Sequence, residues 1–485
     1  MAEFRLISNR EEFIPDYNEL VRAFAPHATL GDGGYTVDIN VQLADDNSAG
    51  IRLKCYRLNG ISEYCYENDI NLEQFGGYPD AKSRIKRECK VALYKCLAAV
   101  TGVSLPYGSL TGIRPTKLYH DLLHAGIDAD AYLKDYLLVS PSKTDLIAGI
   151  AERQRGIYDT SGMAADLFIN IPFCVTRCSY CSFICAEIGK VRKFIPRYIE
   201  LLVGEIERAR ALASDLGYRL RSAYVGGGTP TSLCDSDFAA VLNAIGGGFP
   251  EFTVEAGRPD TISESKLKIM DDMGVTRISI NPQSFNDKTL ETIGRSHSVS
   301  DVYKAYEAAS RYGFDINTDL IAMLPGESLD DFKRSVDCAA ALRPANITVH
   351  TLALKKGSAL KESGYDNRGD ALPSAMIDYS YSALTDKGYG AYYMYRQKYM
   401  SGNLENTGYC LEGKQCVYNI DIMEECATIF ACGAGAISKA VIPAESRIER
   451  LANPKGLDVY LQRGESIADK KDVFFTELLG KRGDL

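Results

Sequence analysis

The stretch Leu167-Phe-Ile-Asn-Ile-Pro-Phe-Cys174-Val-Thr-Arg-Cys178-Ser-Tyr-Cys181-Ser-Phe-Ile-Cys185 joins a short apolar run to a cysteine-dense loop. Leu167–Ile171, bounded by Pro172, suits a strand covered on both faces. Four of the chain's 14 cysteines crowd into the loop that follows. The first three have the spacing CxxxCxxC, so one loop can wrap three thiolates around a compact iron–sulfur cluster and leave an iron position open; a fourth thiolate would close it. A zinc site would need a further ligand from Cys185 or one of the 5 histidines, without the paired CxxC knuckles of structural zinc sites. Simple burial of small thiols is the third alternative.

Outward from this stretch, one pattern repeats over about 166–351: an apolar run, then an amphipathic stretch. The runs are Leu167–Ile171, Ala223–Val225, Phe252–Glu255, Arg277–Ile280, Asp315–Leu320 and Asn346–Thr351. Between them lie helical stretches at Tyr198–Leu212, Asp235–Ala244, Ser263–Met273, Val302–Tyr312 and Ser328–Leu342. Six such βα repeats predict an α/β core with a parallel sheet, doubly wound or curled into part of a barrel, and working residues just after the strands. Residues 1–160 read as a separate α+β domain with a hairpin (Tyr35–Leu43, Ile51–Leu58) and a long helix at Ala81–Thr101. Within it, Leu105–Lys117 holds Gly108, Gly112, Arg114, Pro115 and Lys117 in what is either an anion-binding loop or an interdomain turn. After 355 come a Tyr- and Gly-rich segment, Gly388–Gly408, and an apolar run at Asp421–Phe430 that reads as helical. The expected domains are thus 1–160, a core at 161–355, and a C-terminal α+β extension at 356–485 covering the barrel mouth.

The chain's 485 residues are 46% hydrophobic and 25% charged, which suits a globular protein of several domains, at roughly 100–200 residues each. With 55 basic against 64 acidic residues there is no general basic field for nucleic acid. No apolar run of about 18 residues appears, so no membrane-spanning helix is expected. The opening MAEFRLISNREEF puts charges where a signal peptide needs an apolar core, and a cytoplasmic location is expected. There are 30 tyrosines and no tryptophan.

Cys174, Cys178 and Cys181, with Tyr180 before the third, resemble the signature of the radical S-adenosylmethionine (SAM) superfamily. The preceding Phe168–Phe173 run and the downstream motifs are similar, more narrowly, to the oxygen-independent coproporphyrinogen III oxidase family. Nearly the whole chain resembles its HemZ-type coproporphyrinogen dehydrogenase subfamily. The resemblance implies a partial (β/α)6 TIM-like barrel, a [4Fe–4S] cluster held by Cys174, Cys178 and Cys181, and SAM on the open iron. It implies SAM contacts from Gly227, Gly228 and Thr229 in Gly226-Gly-Gly-Thr-Pro-Thr231, a turn whose glycines let a backbone approach a ligand closely. Glu255, in Thr253-Val-Glu-Ala-Gly-Arg-Pro-Asp260, suits ribose hydroxyls, since an ionised Glu is a pure acceptor. Gln283, Arg295 and Asp319 would line the SAM site, with the Arg near its carboxylate. Phe168 and Tyr180 would complete its walls, and Ala353 would supply backbone to the adenine. His350 is either a general base or a structural His. The implied chemistry is anaerobic oxidative decarboxylation of two propionates of coproporphyrinogen III to vinyls, giving protoporphyrinogen IX for haem biosynthesis. An electron donor such as flavodoxin or ferredoxin is implied too.

Two positions depart from the oxidase pattern. Phe168 stands where the oxidase has Tyr, and Phe183 where it has a further Cys linked to activity. The same branch holds haem chaperones with a HNxxYW motif; the aligned segment here is Tyr418-Asn-Ile-Asp-Ile-Met423, followed by Gly433-Ala-Gly-Ala-Ile-Ser438, and the missing Trp alone counts against chaperone activity. Tyr392–Met400 interleaves aromatics with Arg396 and Lys398. Tyr395, Arg396 and Lys398 are candidate contacts to a tetrapyrrole and its propionates, the alternative being a Tyr-rich strand packed at the barrel mouth.

Overall fold

The computed structural model describes residues 2–44, 47–73, 80–183, 185–355, 357–365, 372–397, 400–445 and 447–479. They fall into two compact units: Met1–Arg153 with Tyr395–Leu404, and Gln154–Asn367 with Leu372–Met394 and Glu405–Leu485.

The first unit is built on a five-stranded sheet of β1 (Ala2–Ser8), β2 (Ala28–Leu30), β3 (Tyr35–Leu43), β4 (Ser48–Arg57) and β5 (Ser62–Asn71), in the order β2-β1-β3-β4-β5. The expected hairpin is β3–β4, antiparallel with Val37 opposite Cys55. Alternation sends Val37, Ile39, Ile51, Leu53 and Cys55 to one face, where they form a core with helices α1 (Ile14–Ala23) and α2 (Ala81–Thr101). Asp80 caps α2 by accepting from the Ser83 amide, and Gly102 in the left-handed region ends it. The Leu105–Lys117 loop lies inside this unit rather than between domains, and Arg396 reaches it there: the guanidinium donates to Leu110 O at 2.6 Å.

The second unit carries the six expected parallel strands: β6 (Ala164–Ile171), β7 (Arg219–Gly227), β8 (Glu251–Gly257), β9 (Arg277–Ile280), β10 (Asp315–Ala322) and β11 (Asn346–Thr351). The longer helices between them are α3 (Ile195–Asp215), α4 (Asp235–Ile245), α5 (Glu264–Asp272), α6 (Val299–Ala309) and α7 (Leu329–Ala341), close to the stretches read from periodicity. Capping boxes start α6 (Ser298 with Asp301) and α7 (Ser328 with Asp331). The sheet is larger than six strands. Later segments add β12 (Gly390–Tyr395), β13 (Asn406–Cys410), β14 (Thr428–Cys432), β15 (Ile437–Ile442) and β16 (Arg447–Ala452), giving the order β12-β13-β11-β10-β9-β8-β7-β6-β14-β15-β16. The partial barrel is therefore an open sheet extended at both edges.

Two expectations need correction here. The segment after 355 is not a domain apart, because its strands hydrogen-bond to β11 and β6 and its Tyr395–Leu404 piece belongs to the first unit. The run Asp421–Phe430 is not one helix. Helix α8 (Val417–Glu424) stops at Glu425, which takes φ 54°, and β14 then pairs in parallel with β6. A short, largely buried apolar run has too little periodicity to separate helix from strand.

Candidate functional site

Strand alternation gives the barrel two chemistries. Leu167, Ile169, Ala223, Val225, Phe252 and Val254 face the helices and form one core. Their neighbours face inward and are mostly polar or aromatic: Phe168, Asn170, Tyr224, Glu255, Asn317 and Asp319 among them. The sheet curves enough for Arg277 on β9 to donate to Asn346 on β11 past β10.

The cysteine loop leaves β6 at its C-terminal end, where the barrel pattern places chemistry. Cys174, Cys178, Cys181 and Cys185 are all half-buried. Thr229 Oγ1 lies 3.6 Å from Cys174 Sγ. The Cys174 thiol is pulled down to about 6, first by the hydrogen bond from the Cys185 thiol and then by Thr229 and the charges of Arg258 and Arg295. The Cys185 thiol, as the donor of that bond, is pushed up. Burial also raises Cys181. A lowered thiol pKa favours the thiolate that ligates metal. Among the described residues no three His, Cys, Asp or Glu side chains are grouped to hold a single metal ion. An iron–sulfur cluster takes thiolate ligands, and one loop carries Cys174, Cys178 and Cys181.

Around this loop the SAM motifs come together. Gly227 takes φ 105°, and a Cβ on it would sit 1.9 Å from Asn170 Oδ1. A Cβ on Gly228 would sit 2.4 Å from Phe173 O. The Gly228 and Thr229 amides donate to Ile171 O and Phe173 O at 2.8 and 2.7 Å. What this turn can offer a ligand is therefore carbonyl oxygen, the acceptor an ammonium needs. Glu255, at the end of β8, accepts from Tyr224 Oη at 2.7 Å, and burial pushes its carboxyl up to about 7 against the pull of that bond.

Gln283 holds φ 69°, an uncommon conformation for a residue other than Gly, kept by a bond from its amide to Asp319 O at 3.0 Å and one from Ile321 N to its own carbonyl at 2.9 Å. Its side-chain Oε1 is buried without a hydrogen-bond partner, as are Asn281 Oδ1 and Arg295 Nε. Arg295 donates to Tyr180 Oη at 2.9 Å and Asn281 O at 3.1 Å. Asp319 accepts from Asn317 at 2.9 Å, with His350 Nε2 3.7 Å away. Ala353 lies half-buried just beyond β11. Close-approach glycines, a strained Gln and orphaned buried polar atoms at one end of the barrel fit a polar ligand beside a cluster.

The radical SAM superfamily model matches residues 169–339. An oxygen-independent coproporphyrinogen-III oxidase-like protein, HemZ of Bacillus subtilis (strain 168), is 36% identical over 421 residues, covering 83% of each chain. The chain belongs to this HemZ-like family of radical SAM proteins. A [4Fe–4S] cluster and SAM are its cofactors. The haem chaperone HemW of the same organism is 35% identical over 195 residues, 39% of this chain and 50% of that one. HemW of Escherichia coli (strain K12) is 26% identical over 325 residues, 64% of this chain and 79% of that one. The solved structure of the Escherichia coli coproporphyrinogen III oxidase HemN aligns over 66% of this chain and 73% of that one, at 19% identity and a TM-score of 0.49.

In this HemZ-like chain the segment aligned with the chaperone motif buries Tyr418, Ile420 and Asp421 and leaves Asn419, Ile422 and Met423 half-buried. The Glu251 carboxylate receives the start of α8, accepting from Val417 N at 2.9 Å and Tyr418 N at 3.1 Å. Tyr418 stacks on Tyr224 with centroids 4.3 Å apart and on Phe168 at 5.9 Å. Phe168 thus keeps a packing role where the oxidase pattern has Tyr. Behind Tyr418, Asp421 makes a two-point contact with Arg221.

The candidate tetrapyrrole contacts fare differently from the SAM set. Arg396 is 3% exposed, its guanidinium lies 4.1 Å from the Tyr107 ring centroid, and it donates to Leu110 O and Asn403 O. That burial within the first unit commits Arg396 to structure and corrects its expected pairing with a propionate. Tyr395 ends β12 and is half-buried, while Lys398 lies outside the described residues.

Several residues of the site escaped the motif reading. Tyr224 and Asn170 face inward by strand alternation, a signal available in the sequence once the strands are assigned, and Asn281 is the residue just after β9. Arg258 stands inside the quoted Thr253–Asp260 motif, yet nothing in spacing alone says where its guanidinium goes.

Proposed function

We propose that the chain is an oxygen-independent coproporphyrinogen III dehydrogenase, which converts two propionates to vinyls with release of two CO2 and gives protoporphyrinogen IX, one SAM per propionate serving as oxidant and leaving as methionine and 5′-deoxyadenosine that carries the abstracted hydrogen. The observation that carries this is the 36% identity, over 83% of both chains, to a protein named for likeness to the coproporphyrinogen III oxidase. The burial of Tyr418, Ile420 and Asp421 supports an enzyme over a haem carrier, since a haem-binding segment has to be reachable.

In this reading Cys174, Cys178 and Cys181 hold the cluster. The Gly227–Thr229 turn accepts from the methionyl amine of SAM, and Arg295 pairs with its carboxylate. Glu255 accepts from the ribose hydroxyls, and Gln283, Asp319 and Ala353 flank the nucleoside, with Phe168 and Tyr180 as walls. The cluster with SAM supplies one-electron chemistry able to take hydrogen from an unactivated C–H bond, which side-chain acid–base catalysis does not reach. The protein's own part is to orient the reactants and keep water from them. A flavodoxin- or ferredoxin-type electron donor and a cytoplasmic location go with this assignment.

The test is anaerobic turnover. The reconstituted chain with reductant, SAM and coproporphyrinogen III should give protoporphyrinogen and methionine. SAM cleavage with the tetrapyrrole untouched would sink the substrate assignment alone, and product analysis would then identify any other reaction on the ring. Stable haem binding without SAM turnover would favour a chaperone.

A further inference from the structure

We infer that Arg258 is a positioning residue for the loop between the first two cluster cysteines, acting through Thr176. Arg258 follows β8 and is 3% exposed. Its Nε and Nη2 pair with Asp260 Oδ1 and Oδ2 at 3.0 and 2.8 Å, a two-point fork. The remaining donors reach elsewhere. Nη1 donates to Thr176 Oγ1 at 2.7 Å and Thr176 O at 3.3 Å, and Nη2 also reaches Ser296 Oγ at 3.2 Å.

Thr176 lies between Cys174 and Cys178, in a loop with no regular structure of its own beyond the strand end. Val175 and Arg177 on either side of it are exposed, Arg177 donating to Gly357 O at 2.6 Å, whereas Thr176 is half-buried and turned toward Arg258. Further ties come from the segment that carries Arg295: Ser179 N donates to Ile293 O at 3.0 Å, and Thr176 Oγ1 lies 3.4 Å from Gly294 O. Arg258 thus gathers the end of β8, the cysteine loop and residues 293–296 around one guanidinium. A buried guanidinium is costly unless paired, and Asp260 supplies the pair. With the charge balanced, the other donors are free to hold a loop whose three thiolates must keep a fixed spacing. A Lys has the charge but not the planar fork, and cannot bridge both Asp260 oxygens, Thr176 and Ser296 together.

The inference rests on Cys174, Cys178 and Cys181 being the cluster ligands, and not on the identity of the substrate. Its test uses the full chain, reconstituted anaerobically, as Arg258→Met, Arg258→Lys and Thr176→Val. The readouts are iron loss to the chelator bathophenanthroline, the EPR spectrum of the dithionite-reduced cluster with and without SAM, and the melting temperature. Iron loss should be about 10-fold faster in both Arg258 variants, at the low end of the usual effect of outer partners on metal sites, and less in Thr176→Val, roughly 3-fold, because the Thr176 O contact remains. The EPR signal should shift in all three, and Thr176→Val should melt with the unchanged chain. Adding Thr176→Val to Arg258→Met should speed the loss no further, because both cut the same link. Unchanged iron loss and an unchanged spectrum in Thr176→Val overturn the inference, and that variant decides alone if Arg258→Met does not fold. A normal cluster in Cys178→Ala would instead overturn the ligand assignment.

Discussion

Tyr224 donates its hydroxyl to the Glu255 carboxylate at 2.7 Å, tying a ring that stacks on Tyr418 in mid-barrel to the acid at the end of the next strand. One interaction thereby couples the barrel's interior packing to the residue assigned to the SAM ribose. Burial holds the Glu255 carboxyl near 7, so both its charge and its acceptor strength change within the working pH range.

The first prediction follows from that carboxyl. Glu255 accepts ribose hydroxyls best when ionised, so SAM affinity should rise several-fold from pH 6 to pH 8 and flatten above. Tyr224→Phe should shift the rise to higher pH, because it removes a bond that favours the charged form, and Glu255→Gln should abolish it. Equilibrium dialysis of SAM across that range checks this. For folding the sign is opposite: with its pKa raised in the folded state, Glu255 contributes stability below its unfolded value, near ~4.3, that is lost as pH rises through about 7.

Cys178→Ala should abolish the brown cluster absorbance and most bound iron after reconstitution, while the barrel still folds. Iron and sulfide assays with circular dichroism read both sides. Full iron content would mean that Cys178 is not a ligand.

Gly227→Ala places a methyl against Asn170 Oδ1 in a backbone conformation that L-residues avoid. A cost of roughly 1–3 kcal/mol is expected from the backbone strain alone. SAM affinity should fall at least tenfold with it, as the turn shifts away from the cysteine loop. Urea unfolding and SAM binding of the variant check both.

A buried pair far from the cluster tests the fold. Lys471, on the C-terminal helix Leu457–Leu479, meets Glu205 of α3, with both side chains at most 4% exposed. Glu205 also accepts from Tyr460 Oη at 2.5 Å, Asn453 at 2.8 Å and Gly433 N at 2.9 Å. Lys471→Met strands the carboxylate and should cost about 3–5 kcal/mol, whereas Glu205→Gln with Lys471→Met should recover much of it. Calorimetric melting temperatures of the single and double variants give the comparison.

Much of this was legible before folding. The parallel strands and their helices stand almost where periodicity puts them, since one face of each helix and of each strand must be apolar to build the core they share. The cluster cysteines and the glycine turn are local in sequence, and so were readable as words. Helix α8 and strand β14 were not separable, because a short, largely apolar run carries too little periodic signal. Arg396 stayed open between two roles for a related reason: an Arg among tyrosines suits a ligand site and a buried stack equally well.

The sequence by itself determined the barrel's strands, the CxxxCxxC loop and the absence of a tryptophan for a HNxxYW motif, because each depends on residue type and spacing alone. Only the tertiary structure decided that Arg258 reaches Thr176 across 82 positions, that Tyr418 fills the barrel, and that the strands after 355 extend the same sheet. Those contacts join segments far apart in the chain. Which donor meets which acceptor there depends on how the sheet twists and curls, and no local pattern records that.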